Sequence, residues 1–493
     1  MLPDYQYVYV VFKRDVGPKS KPNSGAIKQV HYYGQPADVK PPDDGHGVVE
    51  MFTRRRLDSA RWRVEEGRVA EVKVRASFVK SSRMAVGGGE TRPLDIVLVS
   101  DCITDPTGFG GQAGHLHRGL AGKGHSVRAI RFDEIDTLLN LRFDWVISLG
   151  DYYQVAKIAE MGEGVTSRWI HWLPVSSEDI EDGFWGRVRT PGRLVAMSRF
   201  GAQALAKRGL TGVSCIPHGI EMDTFKPLVM QEVDRLRGAQ GLDGKFVALY
   251  VGRNTKRKRV DHLLEIFAMA LRVLGNGAPI MFLLKTEEKY SHISVTEHAA
   301  KLDAEMGTDL RGHYMLFDEN MPPKRLNELY NMAHVGISAT GGEGFGLTTL
   351  ECVAAGVPMI IGNHSTSAEI LGDGGQAGSL IDIASSEADS PNGVQVGRAI
   401  MSSGQAAAVL LEYYRRWEAD EAPNRRAVRG QVSGRYGVSQ MVDAWDNLLI
   451  DLGLAGEAAA ETAPHRGLPR AEPPAYRRVA ELDAGAPVSL PEV

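Results

Sequence analysis

Twice along this chain, short apolar runs of buried-strand type alternate with amphipathic helical segments, and no other feature restricts the fold as much. Such alternation builds a parallel sheet covered by helices on both faces. The first series holds LDIVLVS at 94–100, a helix from about 112 to 123, SVRAIRF at 126–132, WVISL at 145–149 and RLVAMS at 193–198. The second holds KFVALYVG at 245–252, a helix at 260–274, IMFLLK at 280–285, a helix near 324–333, VGISA at 335–339, a helix at 345–355 and VPMIIG at 357–362. The reading is an α/β protein of two doubly wound domains in tandem, 90–225 and 226–438. Ligands of such domains bind at the carboxyl ends of the strands and in the cleft between domains. A last helix is expected at 439–452, capped by Ser439, with Met441, Val442, Trp445, Leu448, Leu449 and Leu452 on one face, joining the first domain. Residues 453–493 are rich in Ala, Pro, Glu and Arg, with little to bury, and are expected to be a disordered tail.

Residues 1–89 have another texture. Short β-like runs at 5–12, 48–52 and 69–79 are broken by Pro/Gly/Asp stretches, which reads as a small β-rich extension. It holds 16 Lys and Arg against 10 Asp and Glu, net +6, while the whole chain carries −4. Arg54, Arg55, Arg56, Arg61 and Arg63 surround Trp62, either as a solvated strand face or as the mark of an acidic partner. Residues 81–90, with three consecutive glycines, read as a linker. The three cysteines, Cys102, Cys215 and Cys352, lack CxxC spacing, so neither a disulfide framework nor a structural zinc site is expected. No run approaches the ~18 to 20 apolar residues of a membrane span, and the N-terminus lacks a signal-peptide pattern. The expectation is a cytoplasmic protein without stable membrane insertion.

Two glycine-rich loops follow strands. In the first, DCITDPTGFGGQAGHL at 101–116, residues Gly108 to Ala113 satisfy G-x-G-x-x-A, and Asp133 follows at the end of the next strand. That pattern admits an NAD-binding oxidoreductase. A dinucleotide fingerprint packs its first glycine against the strand end, however, and here seven residues intervene. The remaining reading is a side-chain-poor loop, with Gly110 and Gly111, feeding a helix N-terminus that can hold a phosphate. The second loop, ATGGEGFGLTTLECVAAGVPMII at 339–361, places Glu343 among glycines and Glu351 about two turns into the next helix. One carboxylate suits sugar hydroxyls and the other the vicinal hydroxyls of a ribose. Upstream, VGRNTKRKRVDHLL at 251–264 puts Arg253 and Lys258 where two cations could neutralise a diphosphate leaving group. Lys256, Arg257 and Arg259 read as solvated neighbours of Lys258.

With TGFGG, VAMSRFGAQAL, IPHGIEMDTFKP, GRN…K and E…E around GFGL in this order, the chain resembles the retaining group 1 (family 4) glycosyltransferases of GT-B fold, which include glycogen synthases and phosphatidylinositol mannosyltransferases. The resemblance covers roughly 94–452. It implies that Arg253 and Lys258 bind the donor diphosphate, that Glu343 holds the transferred sugar and Glu351 the ribose, and that Gly344, Phe345, Gly346, Leu347 and Thr348 contact sugar and phosphate. By the same resemblance, the Gly110/Gly111 loop faces the diphosphate from the acceptor side, and the segment at 313–318 lies near the base. The family often has a first-domain histidine against the transferred sugar. Here Asp151 stands at the matching position, with His171 as fallback and His218 as a cleft-lining candidate.

The implied activity moves a hexosyl unit from a nucleotide diphosphate sugar to an acceptor hydroxyl with retention, without metal or further cofactor. The acceptor is left open among anionic classes: lipid phosphate, polysaccharide or modified nucleic acid. The oxidoreductase and a non-catalytic sugar-nucleotide-binding protein stand as alternatives, and oligomeric state is undetermined.

Overall fold

The structure, a computed structural model, describes the backbone of 9–12, 27–31, 55–65 and 68–78, then residues 92–462 apart from 105–107, 289–291 and 373–374, with side chains to 453. The expected strand at 48–52, the linker at 81–90 and most of the expected tail lie outside the described residues. In the extension, strands β1 (Tyr9–Phe12) and β2 (Ile27–His31) pair antiparallel, as do β3 (Arg55–Glu65) and β4 (Arg68–Phe78).

The first domain is built on β5 (Asp95–Ser100), β6 (Ser126–Arg131), β7 (Trp145–Leu149), β8 (Trp169–Leu173), β9 (Arg193–Ala196) and β10 (Ser214–Cys215), a parallel sheet of order β10-β9-β8-β7-β5-β6. The second has β11 (Phe246–Val251), β12 (Ile280–Lys285), β13 (Tyr314–Phe317), β14 (Val335–Ser338), β15 (Met359–Gly362) and β16 (Gly378–Ile381) in the order β13-β12-β11-β14-β15-β16, again all parallel. The central strands are apolar almost throughout because helices cover both faces. All five residues of β8 are buried, as are the first five of β11. The helix Val260–Leu274 buries Val260, Leu263, Leu264, Phe267 and Leu271 along one stripe, and Phe267 stacks on Phe282 with centroids 4.6 Å apart. In each sheet the strand order reverses beside the first strand, between β5 and β7 and between β11 and β14. The crevices outside those strand ends are where open α/β sheets bind ligands.

Three helices depart from the sequence reading. The helix after β5 is Gly108–Gly122, starting at the first glycine of the run, so that Gly110 and Gly111 lie in its first turn and not in a loop. The helix after β14 is Leu347–Ala354, because Gly346 takes φ 99° and breaks the turn that would continue back to Phe345. The final helix is Val438–Thr462, beyond Leu452, with Ser439 inside it rather than at its cap. Its first turns meet the first domain: Trp445 lies edge-on to Trp172 at 5.3 Å, His125 Nε2 is 2.7 Å from Asp446, and Lys123 pairs with Asp443. A two-stranded element absent from the sequence reading, β17 (Ile383–Asp389) and β18 (Val396–Met401), follows β16. Its turn, Ser390-Pro391-Asn392-Gly393 with positive φ at Asn392 and Gly393, is the signal that would have marked it.

Candidate functional site

The reversal point of the second sheet gathers most of the charged candidates. The loop after β11 carries the run Lys256-Arg257-Lys258-Arg259, and the loop after β14 carries Glu343. Lys258 Nζ lies 2.6 Å from Glu343 Oε1, Arg257 Nη1 lies 2.8 Å from Oε2, and the Thr340 hydroxyl donates to Oε1 at 2.8 Å. The side chains of Lys258 and Glu343 are only 14% and 12% exposed. Burial alone would raise the Glu343 carboxyl, but the charges and hydrogen bonds of Arg257 and Lys258 hold it far below the usual carboxylate range. Burial pulls the Lys258 ammonium down, with Glu343 opposing. Glu343 is therefore a fixed anion: an acceptor of hydrogen bonds rather than a base.

The cation run separates into two pairs, which corrects the reading of Arg257 as a solvated neighbour. Arg257 turns inward, donating also to the Gly342 carbonyl at 2.5 Å, while Lys256 and Arg259 reach Glu387 on β17 at 3.0 and 2.6 Å. Arg259 too is buried rather than solvated. Arg253 is exposed on the same loop, and its charge is felt by Lys258.

The glycines of the second loop allow close approach by the first domain. A Cβ on Gly342 would sit 2.2 Å from the Ser176 carbonyl oxygen, and Gly342 has φ 151°; a Cβ on Gly344 would sit 2.8 Å from Pro174 Cβ. Leu347 and Thr348 are partly exposed at the start of the helix, while the Phe345 ring is buried against His218 (5.5 Å) and Tyr436 (5.6 Å). Phe345 can thus offer a ligand its backbone but not its ring. Across the cleft, a Cβ on Gly108 would lie 3.8 Å from Leu347 Cδ1, so the first turn of the Gly108–Gly122 helix faces the first turn of the Leu347–Ala354 helix. Gly110 is buried, and a Cβ on Gly111 would meet nothing within 4 Å. Gln112 fixes this helix start by exchanging hydrogen bonds with Gly219, at 2.8 and 3.1 Å.

Glu351 lies within the helix Leu347–Ala354, its Oε2 accepting from the Tyr330 hydroxyl at 2.9 Å. Burial pushes its carboxyl up to about 7, with the Tyr330 bond opposing. The folded protein holds that proton where the unfolded chain has lost it, so this group makes stability fall as pH rises from about 4.5 to about 7 and then level off.

Asp151 follows β7 at the reversal point of the first sheet, at the N-cap position of Tyr152–Val155, its backbone N–H held by Gln154 Oε1 at 2.8 Å. Its carboxyl is raised by the surrounding protein and by Asp101, against the charges of Arg257 and Arg398 from the other domain. Asp151 is therefore electrostatically part of the same cleft. His171 is not at a strand end. It sits mid-strand in β8, fully buried, with Nδ1 2.8 Å from Ser148 Oγ, and burial lowers it to about 4. His218 is likewise enclosed, against Trp172 at 4.4 Å, and lowered by burial to about 3. Both are packing residues in this state. Asp133, the acidic residue of the dinucleotide pattern, is exposed and pairs with Arg131 at 3.0 Å.

Sequence reasoning also missed Arg398, on β18. Its side chain is 7% exposed, bonded to Asp389 at 3.2 Å and to Ser176 Oγ of the first domain at 2.9 Å.

The sequence profile of the family described as "Glycosyl transferases group 1" matches residues 232–390, which hold the cation run and both glutamates. A D-inositol 3-phosphate glycosyltransferase of Acidothermus cellulolyticus is 29% identical over 171 residues, 34% of this chain and 37% of the relative. A GDP-mannose-dependent alpha-(1-6)-phosphatidylinositol monomannoside mannosyltransferase of Mycolicibacterium smegmatis is 26% identical over 175 residues, 34% of this chain and 42% of the relative. The chain thus spans less than half the length of these curated relatives. Among solved structures, a sucrose-phosphate synthase from Thermosynechococcus elongatus superposes with a TM-score of 0.56 at 14% identity, covering 73% of this chain and 100% of that one. Anabaena HepE in complex with UDP-glucose gives 0.54 at 12%, covering 73% and 100%. These structures share the arrangement of two parallel-sheet domains described above. Residues 232–390 of this chain are accordingly a group 1 glycosyl transferase domain, set within a GT-B fold.

Proposed function

We propose that the chain is a retaining, metal-independent glycosyltransferase that moves a hexosyl unit from a nucleotide diphosphate sugar to an acceptor hydroxyl. The observation that carries this reading is the Glu343 carboxylate shared by Arg257 and Lys258 at the reversal point of the second sheet. A carboxylate held ionised accepts hydrogen bonds from sugar hydroxyls, and cations beside it stabilise charge on a departing diphosphate. In the structure Lys258 and Thr340 fill Glu343 Oε1. Donor binding exchanges partners: the diphosphate takes Lys258, assisted by Arg253 and the N–H groups opening the helix at Leu347, and the sugar hydroxyls take the vacated Oε1.

The proposed transfer uses no protein nucleophile. Glu343, pinned by two cations, is a poor nucleophile, and Asp151 is proposed to accept a sugar hydroxyl in place of the family's histidine. Attack from the face of the leaving group retains configuration, with the departing phosphate oxygen taking the acceptor proton and the closed cleft supplying orientation. The acceptor is proposed to be anionic, on the +6 charge of residues 1–89. Among the described residues, no helix is long and apolar enough to cross a membrane.

The test is thermal unfolding with UDP, GDP and ADP sugars: at least one should raise Tm in a concentration-dependent manner. If Glu351 binds the ribose as a carboxylate, donor affinity should rise with pH through about 7, where its carboxyl titrates, and become flat in Glu351→Gln. Calorimetric dissociation constants between pH 6 and 8 check this. Equal pH dependence in wild type and variant would remove Glu351 from that role.

A further inference from the structure

The hairpin β17–β18 has no part in the donor chemistry above, yet it touches both loops of the site and the first domain. On one side, Gly397 N–H donates to the Asp179 carbonyl at 2.7 Å, Glu181 N–H donates to the Gln395 carbonyl at 3.0 Å, and Val396 bridges Ile180 antiparallel. Gln395 N–H also donates to the Glu181 carboxylate at 3.1 Å. On the other side, Ala399 N–H donates to the Gly341 carbonyl at 3.1 Å, and Gly341 N–H donates to the Arg257 carbonyl at 2.7 Å. A backbone path therefore runs from the first domain through the hairpin to the glycine-rich loop and on to the cation loop.

The side chains reinforce it. Glu387 receives Lys256 and Arg259, so the two outer cations of the run face the hairpin and the two inner ones face Glu343. Arg259 holds φ 52°, a left-handed conformation that a long side chain adopts only when its surroundings compel it, and the Glu387 pair at 2.6 Å supplies such a restraint. Arg398 ties β18 to Asp389 on β17 and to Ser176 across the cleft.

We propose that this hairpin is the positioning element of the diphosphate site, with Glu387 and Arg398 as positioning residues, so that Arg257 and Lys258 are aimed at Glu343 only while the first domain holds the hairpin at Asp179 to Glu181. Its consequence for turnover rests on the donor-site reading above. The order of the two loops is a property of the ligand-free chain and is tested without that reading.

Three variants of the full chain make the test. Gly397→Val places a Cβ 2.2 Å from Asp179 Oδ2 and 2.9 Å from Asp179 Cβ, forcing the hairpin off the first domain. Glu387→Gln removes both ion pairs at a side chain 38% exposed, where global stability changes little. Glu387→Asp keeps the charge. Amide hydrogen exchange without ligand should accelerate by roughly tenfold or more in peptides spanning 255–260 and 339–345 for Gly397→Val and Glu387→Gln, leave β12 unchanged, and recover in Glu387→Asp. With UDP, GDP or ADP, whichever protects wild type most, the dissociation constant should weaken by about tenfold or more while Tm holds. Unchanged exchange in both loops, or acceleration extending equally into β12, would overturn the proposal. If Gly397→Val fails to fold, the Glu387→Gln and Glu387→Asp pair decides by itself. Wild type that binds no nucleoside diphosphate would defeat the donor reading alone, and the exchange result would still decide this one.

Discussion

Lys258→Ala is expected to lower kcat/KM for the sugar donor by about 10²-fold or more, the usual consequence of removing one fixed charge that meets charge developing on a leaving group. The ammonium is largely enclosed, 14% exposed and 2.6 Å from Glu343. Arg257→Ala belongs to the same class, because its guanidinium shares that carboxylate at 2.8 Å. Lys256→Ala should change kcat/KM little directly, since its ammonium is half exposed and turned to Glu387. Steady-state kinetics on the three variants separates them. Equal losses at Lys256 and Lys258 would mean that the run is not divided as the structure divides it.

Glu343→Ala is expected to destabilise the fold by about 3 kcal/mol, because it leaves the enclosed Lys258 and the partly exposed Arg257 facing each other without their shared anion. Glu343→Gln, which keeps the shape and part of the hydrogen bonding, should lose less. A nucleoside diphosphate should raise the Tm of Glu343→Ala more than that of wild type, since it replaces the missing negative charge. The pH dependence has a definite sign. The folded-state carboxyl of Glu343 is held below its unfolded value of 4.5, so the stability it contributes is fully present above that pH and is lost progressively as pH falls below it. Thermal unfolding of wild type and Glu343→Gln between pH 3 and 7 should converge toward the acid end. Parallel curves would show that the pair contributes nothing.

The sheets and the Glu343 loop were legible because their signals are local. Buried parallel strands read as apolar runs, and glycines 341, 342, 344 and 346 surround Glu343 within a few residues. What was not legible depends on partners far along the chain. Arg257 and Lys256 are neighbours of like charge, and Glu387 and Asp389, on a hairpin more than a hundred residues later, hold Lys256 outward while Arg257 turns to Glu343. His171 read as a strand-end residue, but β8 extends to Leu173 and Ser148 of the adjacent strand takes its Nδ1. Phe345 read as part of the ligand-contacting loop, and the sequence did not show that its ring fills space between His218 and Tyr436, residues set in place by the first domain and by the segment that precedes the final helix. The hairpin itself had a local signal in its Pro-Asn-Gly turn, which a search for parallel α/β units passes over.

Titration calorimetry of the full chain with UDP, GDP and ADP sugars and with NAD tests the central claim most directly. The expected result is saturable binding of at least one nucleotide sugar, competed by its free nucleoside diphosphate, abolished or strongly weakened in Lys258→Ala, with no heat from NAD. Binding of NAD without response to any nucleotide sugar, or nucleotide-sugar binding that is unaltered in both Lys258→Ala and Arg257→Ala, would contradict it.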